Sequence, residues 1–262
     1  MSLKLTLYQV DAFTNRVFSG NPAAVCPLDS WLNDSTLQAI ATENNLSDTA
    51  YFVQEDGAYH LRWFTPTTEV DLCGHATLAA AHVLRECLDI QDEAFFFDTL
   101  SGRLTVQYRD GKYAMDLPSR PAKPCEPVPA LIDALGREPD ALLSSVRDHL
   151  AVFSDEDTLA SLKPDMSALA DIDMFAVICT AAGKDVDFVS RFFAPRQGIP
   201  EDPVTGSAHA TLTPYWADRL GKSVMRARQV SARGGELWCE QHQARVTIAG
   251  DAVLFMQGTI DV

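Results

Sequence analysis

Apolar and polar positions alternate from Leu5 to Phe13, the period of a half-buried strand. Ser19-Gly20-Asn21-Pro22 then reads as a turn before the apolar Ala23-Ala24-Val25. Leu37, Ile40 and Ala41 recur at helical spacing behind Asp34 or Ser35 as N-cap. Strand character returns over Ser47 to Val53 and Tyr59 to Phe64, and a helix is predicted from about His75 to Leu88, with Leu78, Ala79, His82 and Leu84 facing inward. Phe95 to Leu100, Leu104 to Tyr108 and Tyr113 to Leu117 read as short strands parted by Ser101-Gly102 and Asp110-Gly111 turns. A short helix near Leu131 to Leu135 follows, then strands near His149 to Phe153 and Phe175 to Thr180 with a helix or loop between them. Val186 to Phe193 is a strand, and Ser207 to Leu220 a helix stopped by Gly221. Strands near Val224 to Val230, Glu236 to Glu240, Ala244 to Ile248 and Ala252 to Phe255 close the chain.

One passage occurs twice. Phe64-Thr65-Pro66 leads to Asp71-Leu72-Cys73-Gly74-His75-Ala76-Thr77-Leu78, and Phe193-Ala194-Pro195 leads to Asp202-Pro203-Val204-Thr205-Gly206-Ser207-Ala208-His209-Ala210-Thr211-Leu212. Both copies are a strand, a loop holding proline and acid, and a glycine that opens an Ala-rich helix. Gly74 and Gly206 lie about half a chain apart, which points to two related halves. Between the copies, Pro118 to Pro129 holds five prolines, stiff extended chain suited to a linker. The expected domains are residues 1–117, joined by the last strand at about 255–262, and 130–254, with 118–129 as the linker. Many short strands around one prominent helix per half make this an α+β chain rather than an alternating βαβ one.

Composition narrows the function. Of 262 residues, 47% are hydrophobic, enough for a full core. The net charge of −15 and the scattered basic residues argue against nucleic acid as a partner. Six cysteines without a CxxC pair read as reduced thiols rather than disulfides or a zinc site. No apolar run approaches the roughly 18 residues of a membrane span, and Met1-Ser2-Leu3-Lys4 runs straight into a strand, with no signal peptide apparent. A soluble cytoplasmic protein is expected, with no membrane partner. Neither GxGxxG nor GxxxxGK[ST] occurs, so a nucleotide cofactor has no support.

If the halves face each other, two helix N-termini meet across a cleft, with backbone N–H groups offered to a small anion. His75 occupies the first helical position in copy one, and Ser207 replaces it in copy two. The helix start favours a neutral His75 imidazole. Cys73 stands where a thiolate is stabilised, yet its counterpart is Thr205, which cannot remove a carbon-bound proton at ordinary pH. A buried, inert Cys73 is as good a reading as a catalytic one. His82 and His209 fall deeper in their helices and read as structural. Asp48 and Asp202 read equally well as turn residues.

Asn45-Leu46-Ser47-Asp48-Thr49, Cys73-Gly74-His75-Ala76-Thr77 and Glu201-Asp202-Pro203-Val204-Thr205-Gly206-Ser207-Ala208, with Val10-Asp11-Ala12-Phe13 and Gly20-Asn21-Pro22, resemble the phenazine-biosynthesis PhzF-like family. That family belongs with diaminopimelate epimerase and proline racemase. The resemblance covers essentially the whole chain. It implies two pseudo-symmetric domains of diaminopimelate epimerase-like fold, each a curved, mostly antiparallel sheet around a central helix, with the active site between them. It implies cofactor-free, metal-free proton transfer beside a substrate carboxylate, and a homodimer. By position, the acid–base carboxylate falls on Asp48, where the phenazine enzyme has Glu, and the other catalytic positions on His75, Asp202 and Ser207. Asn21, Cys73, Gly74, Thr205 and Gly206 are the implied substrate-binding positions, the two glycines through backbone donors. Asp withdraws the carboxylate by one methylene, so a substrate of different shape from the phenazine precursor is expected.

The leading expectation is an isomerase that shifts a hydrogen on a small carboxylic or amino acid. A Cys73-dependent racemase or dehydratase is the alternative, although Thr205 disfavours a two-thiol mechanism. A binding or interaction protein of weak catalytic power is the third reading.

Overall fold

The alternation at the start of the chain forms a strand whose partners are the second strand and the last. In this computed structural model, which describes residues 3–55 and 57–262, the first half of the chain contains β1 (Lys4–Ala12), β2 (Asn21–Leu28), α1 (Asp34–Asn44), β3 (Asp48–Glu55), β4 (Ala58–Phe64), β5 (Glu69–Val70), α2 (Gly74–His82), β6 (Ala94–Thr99), β7 (Gly102–Arg109) and β8 (Lys112–Pro118). Then come β9 (Lys123–Pro124), α3 (Pro129–Leu135), β10 (Ala141–Ser144), β11 (Asp148–Val152), α4 (Glu156–Ala160), α5 (Met166–Asp171), β12 (Ala176–Ala182) and β13 (Phe188–Phe193). The chain ends with α6 (His209–Leu220), β14 (Val224–Gln229), β15 (Gly235–His242), β16 (Arg245–Gly250) and β17 (Ala252–Asp261). Met1 and Ser2 of the expected start lie outside the described residues. Leu117–Ile248 forms one compact unit; the described residues up to Asp116 form the other with Ala249–Val262.

In the first unit β17 pairs antiparallel with β1, and β1 antiparallel with β2. The order continues parallel to β3, antiparallel to β4, parallel to β6, then antiparallel through β7 to β8. The second unit repeats this alternation: β10 antiparallel to β11, β11 parallel to β12, β12 antiparallel to β13, β13 parallel to β14, β14 antiparallel to β15. A parallel pair needs a crossover, usually helical. Here α1 and α2 bridge the two parallel pairs of the first unit, α4 with α5 and α6 those of the second. Sequence repetition is thus matched by repetition of topology.

Each sheet is covered on both faces, which explains why β3 and β12 are buried along six consecutive residues instead of alternating. In the first unit α1 sets Leu37, Ile40 and Ala41 against Ala24, Cys26, Tyr51, Val53 and Phe64. The other helix, α2, packs against β1, β2, β3, β7 and β17. Every residue of α2 from His75 to His82 is buried, so its apolar character runs all round it. In the second unit α3, α4 and α5 pack Leu131, Leu135, Leu159 and Leu169 onto Val177, Val189 and Phe193. Its other face stacks Phe188 on Trp216 of α6, with ring centroids 5.7 Å apart.

Local details depart from the sequence reading. Asn33, not Asp34 or Ser35, caps α1, its side chain accepting from the Thr36 N–H. The helix of copy one stays α-helical only to His82; Val83–Cys87 is a π-turn in which the Leu88 N–H bonds to the Val83 carbonyl. Copy two opens with a 3-10 turn, Gly206–Ala208, before α6 begins. β10 was not anticipated, and the last strand runs on to Asp261.

The Pro-rich stretch is tied into the second unit. β9 pairs with β10, and the Ser119 N–H bonds to the Ala244 carbonyl. Pro214 inside α6 has no N–H to give the carbonyl of Ala210. The Arg120 N–H supplies that bond instead, at 2.9 Å.

At the turn before β2, Gly20 has a φ of +69°, and a Cβ there would sit 2.2 Å from the Ala12 carbonyl oxygen. Both the backbone conformation and the space exclude a side chain. Gly20→Ala is expected to lower stability by more than about 1 kcal/mol in urea unfolding; an unchanged midpoint would contradict the turn geometry.

Candidate active site

Two short stretches bring three reactive side chains together in the first unit. β3 begins at Asp48, held opposite Ala23 by its parallel pairing with β2. α2 begins at Gly74, and Cys73 is its N-cap residue without a side-chain cap bond. The backbone N–H and the hydroxyl of Thr77 both bond to the Cys73 carbonyl, the latter at 2.5 Å, which fixes the helix entry. His75 then projects between the other two: its Nε2 lies 3.6 Å from Asp48 Oδ2, and its Nδ1 shares a hydrogen bond of 3.5 Å with Cys73 Sγ. All three are buried. Burial pushes the imidazole pKa down to about 3, so His75 is neutral. Desolvation, rather than the helix terminus invoked from the sequence, is the dominant cause. Asn21, also buried, accepts from the Ser47 hydroxyl at 3.3 Å, beside the start of β3.

The second copy builds a different cluster. Asp202 Oδ2 accepts from the Thr205 hydroxyl at 2.5 Å. Gln229, at the end of β14 and fully buried, clamps the loop: its Nε2 donates to the Asp202 carbonyl at 2.7 Å and to Thr205 Oγ1 at 3.2 Å, while its Oε1 accepts from the Thr205 N–H at 2.9 Å. His209 Nδ1 bonds to the Thr205 carbonyl at 2.8 Å, and burial holds its pKa down to about 4. Ser207 lies in the 3-10 turn opened by Gly206, where its hydroxyl accepts from Arg147 Nη2 at 3.4 Å. That guanidinium also donates to Asp148 and covers the Phe175 ring at 4.0 Å.

Each loop is anchored by a matching ion pair. Arg62 of β4 donates through Nε and Nη2 to the two oxygens of Glu69, both at 2.7 Å. Arg191 of β13 does the same to Glu201, at 2.8 and 2.9 Å. Arg62 lies over Phe64 and Arg191 over Phe193. In both copies the glutamate stands five residues before the motif glycine.

Of the nine site positions, Asp48, Cys73 and His75 thus meet around one point, with Gly74 between the latter two. Asp202 and Thr205 meet around a second, and Ser207 joins Arg147. His82 bonds to the Tyr113 hydroxyl at 3.2 Å and packs against its ring. Cys26 and Cys239 are buried thiols whose pKa is pushed up to about 12, inert as nucleophiles.

A family model described as phenazine biosynthesis-like protein matches residues 10–258. The chain belongs to the phenazine biosynthesis-like protein family. A relative in Pseudomonas aeruginosa, named an uncharacterized isomerase, is 51% identical, the alignment covering 98% of this chain and 99% of that protein. A PhzF-family crystal structure from Enterococcus faecalis is 47% identical, with a TM-score of 0.96 over 98% of this chain and 99% of that one. A hydroxyproline epimerase from Agrobacterium vitis shares the fold at 10% identity, TM-score 0.64, over 99% and 93% of the two chains. The α+β architecture is therefore that of the PhzF and epimerase group, and this PhzF-like chain is an enzyme of the isomerase class.

Sequence reading missed Gln229, Arg147 and both Arg–Glu pairs. The pairs carried a signal, since the repeat extends upstream to an arginine two residues before each phenylalanine. Gln229 and Arg147 carried none, because they reach the motif only through the sheet.

Gln229→Leu in the PhzF-like chain removes the partner of the buried Thr205 N–H and one donor from the Asp202 carbonyl. The expected cost is about 1–3 kcal/mol for each buried group left unpaired, read by urea unfolding; a loss below the error of that measurement would deny the clamp.

His75, His82 and His209 are held neutral in the fold, with pKa values lowered to about 3, 4 and 4 by burial. An unfolded histidine takes a proton near pH 6.5. Above that pH the three add no pH dependence; below it the unfolded state binds protons the native state refuses, so stability falls from about pH 6.5 toward pH 4. The imidazole NMR shifts of these three histidines in the native protein are expected to stay flat from pH 8 to 5. A midpoint near 6.5 for His75 would overturn its burial.

Proposed function

We propose that this enzyme is a cofactor-independent isomerase that moves a proton on a small carboxylic or amino acid. The observation that carries the reading is the meeting of the Asp48 carboxylate and the His75 imidazole at the start of α2. A carboxylate backed by a neutral imidazole accepts a proton from an activated carbon and returns it to another carbon on the same face. His75, lacking a positive charge, acts as hydrogen-bonding partner or relay rather than as a counter-ion. Backbone N–H groups at Gly74 and Gly206 hold the substrate carboxylate. Asp202 and Ser207 orient the same substrate, with Asn21 and Thr205 as further contacts. The Arg147 guanidinium beside Ser207 adds a cation suited to the carboxylate. Charge developing on carbon is stabilised by these fixed dipoles and by conjugation. With the reading go two expectations of the family, a homodimer and a place in the cytoplasm.

A second reading rests on the hydrogen bond between Cys73 and His75. There Cys73, as a thiolate that accepts from the neutral imidazole's Nδ1–H and has given its proton to solvent, acts as the base of a racemase or dehydratase.

The deciding experiment incubates the protein in D₂O with small amino and carboxylic acids, the phenazine precursor dihydro-3-hydroxyanthranilate among them, and follows deuterium at carbon by NMR. Asp48→Asn is expected to lower exchange by at least about 10²-fold, the usual worth of a positioned acid–base group, with folding and ligand binding kept. Exchange that survives in Asp48→Asn but vanishes in Cys73→Ser transfers the role to the thiol. Ligand binding without exchange for any compound points to a binding protein.

A further inference from the structure

Asp48, Cys73 and His75 each present one donor atom, and these three atoms lie within 4.8 Å of one another. They stand on two well-anchored elements, the first residue of β3 and the entry to α2, and all are buried. Among the described residues His75 Nε2 has no hydrogen-bond partner, although its side chain is only 7% exposed. A thiolate sulfur, an imidazole nitrogen and a carboxylate oxygen are the donors zinc takes, whereas magnesium and calcium take oxygen alone. Zinc–sulfur bonds of about 2.3 Å and zinc–nitrogen or –oxygen bonds of about 2.0–2.2 Å put tetrahedral donors roughly 3.3–3.7 Å apart. The Cys73–His75 contact of 3.5 Å, through Nδ1, falls in that range; the Asp48 contact of 3.6 Å is made by the other ring nitrogen, so an ion on one nitrogen draws the third donor in from within 4.8 Å. Three protein donors leave the fourth position to water, as in open zinc sites. Cysteine spacing did not reveal the trio, because its members come from separate segments and only one is a cysteine.

We propose that Asp48, Cys73 and His75 form a binding site for a zinc-class divalent cation, and that filling it inhibits the enzyme. Binding converts the Cys73 thiol to a metal-bound thiolate, releasing its proton to solvent, while the carboxylate and one imidazole nitrogen coordinate directly. The inhibition rests on the acid–base reading of Asp48; the binding does not.

Cobalt(II) titrated into the full-length, metal-free protein tests the site without any substrate. The expected result is a thiolate-to-cobalt charge-transfer band that saturates at one ion per chain and is bleached by zinc. Cys73→Ser is expected to abolish the band. Asp48→Asn and His75→Gln, each checked for native circular dichroism, are expected to weaken binding by at least about tenfold. No band, or equal affinity in all three folded variants, overturns the site whatever the enzyme's reaction. Zinc is then added to the D₂O exchange assay. Arrest of exchange at the occupancy measured with cobalt supports the inhibitory role; full occupancy with undiminished exchange overturns that role and the acid–base assignment of Asp48 with it.

Discussion

A guanidinium gripping a carboxylate sets where each motif helix begins. Arg62 and Glu69 in the first unit, and Arg191 and Glu201 in the second, meet through two parallel N–H···O bonds. Such a fork fixes orientation as well as distance, which a lysine in the same place would not do. The arginine belongs to a strand that the sheet holds rigid, and the glutamate to the loop that must deliver a glycine to the helix start. Arg191 also donates to the Leu162 carbonyl at 2.7 Å, tying the segment after α4 to the same point. With five residues from glutamate to glycine in both copies, little slack remains in the placement of Cys73 and His75, or of Thr205 and Ser207.

The same frame carries unlike chemistry in its two copies. Copy one presents a thiol, an imidazole and, from β3, a carboxylate, all withdrawn from water. Copy two presents hydroxyls, an amide clamp and a guanidinium. One helix start is preceded by Cys and followed by His; the other is preceded by Thr and followed by Ser. A repeated scaffold thus carries different side chains on either side of its motif glycine, Cys73 and His75 in one copy and Thr205 and Ser207 in the other.

Much of this was legible in the chain. Strands were visible where residues alternate, as from Leu5 to Phe13, or where an apolar run stands out, as from Phe175 to Thr180, against observed strands of Lys4–Ala12 and Ala176–Ala182. Ala141–Ser144 was not, because four residues with two adjacent leucines show no period that separates strand from helix. Three consecutive cap-forming residues, Asn33, Asp34 and Ser35, hid which of them caps α1, a choice made by backbone geometry. Periodicity also cannot distinguish an α-turn from the π-turn at Val83–Cys87. Gly74, His75, Gly206 and Ser207 stood out because the motif repeats, whereas Asp48 rose above an ordinary turn residue only through family resemblance. Gln229 was beyond reach, since its claim on the motif comes from β14 folding back over a loop 24 residues earlier.

The proline within α6 has a kinetic side. The carbonyl that Pro214 orphans is satisfied by the backbone of Arg120, far upstream in sequence. The helix of the second motif therefore cannot complete its hydrogen bonding as a local event. It is finished only when the Pro-rich segment comes to rest against it, a contact of high sequence separation whose loop-closure entropy must be met first. The second motif helix is thus completed by a distant part of its own unit, through one backbone bond near its start.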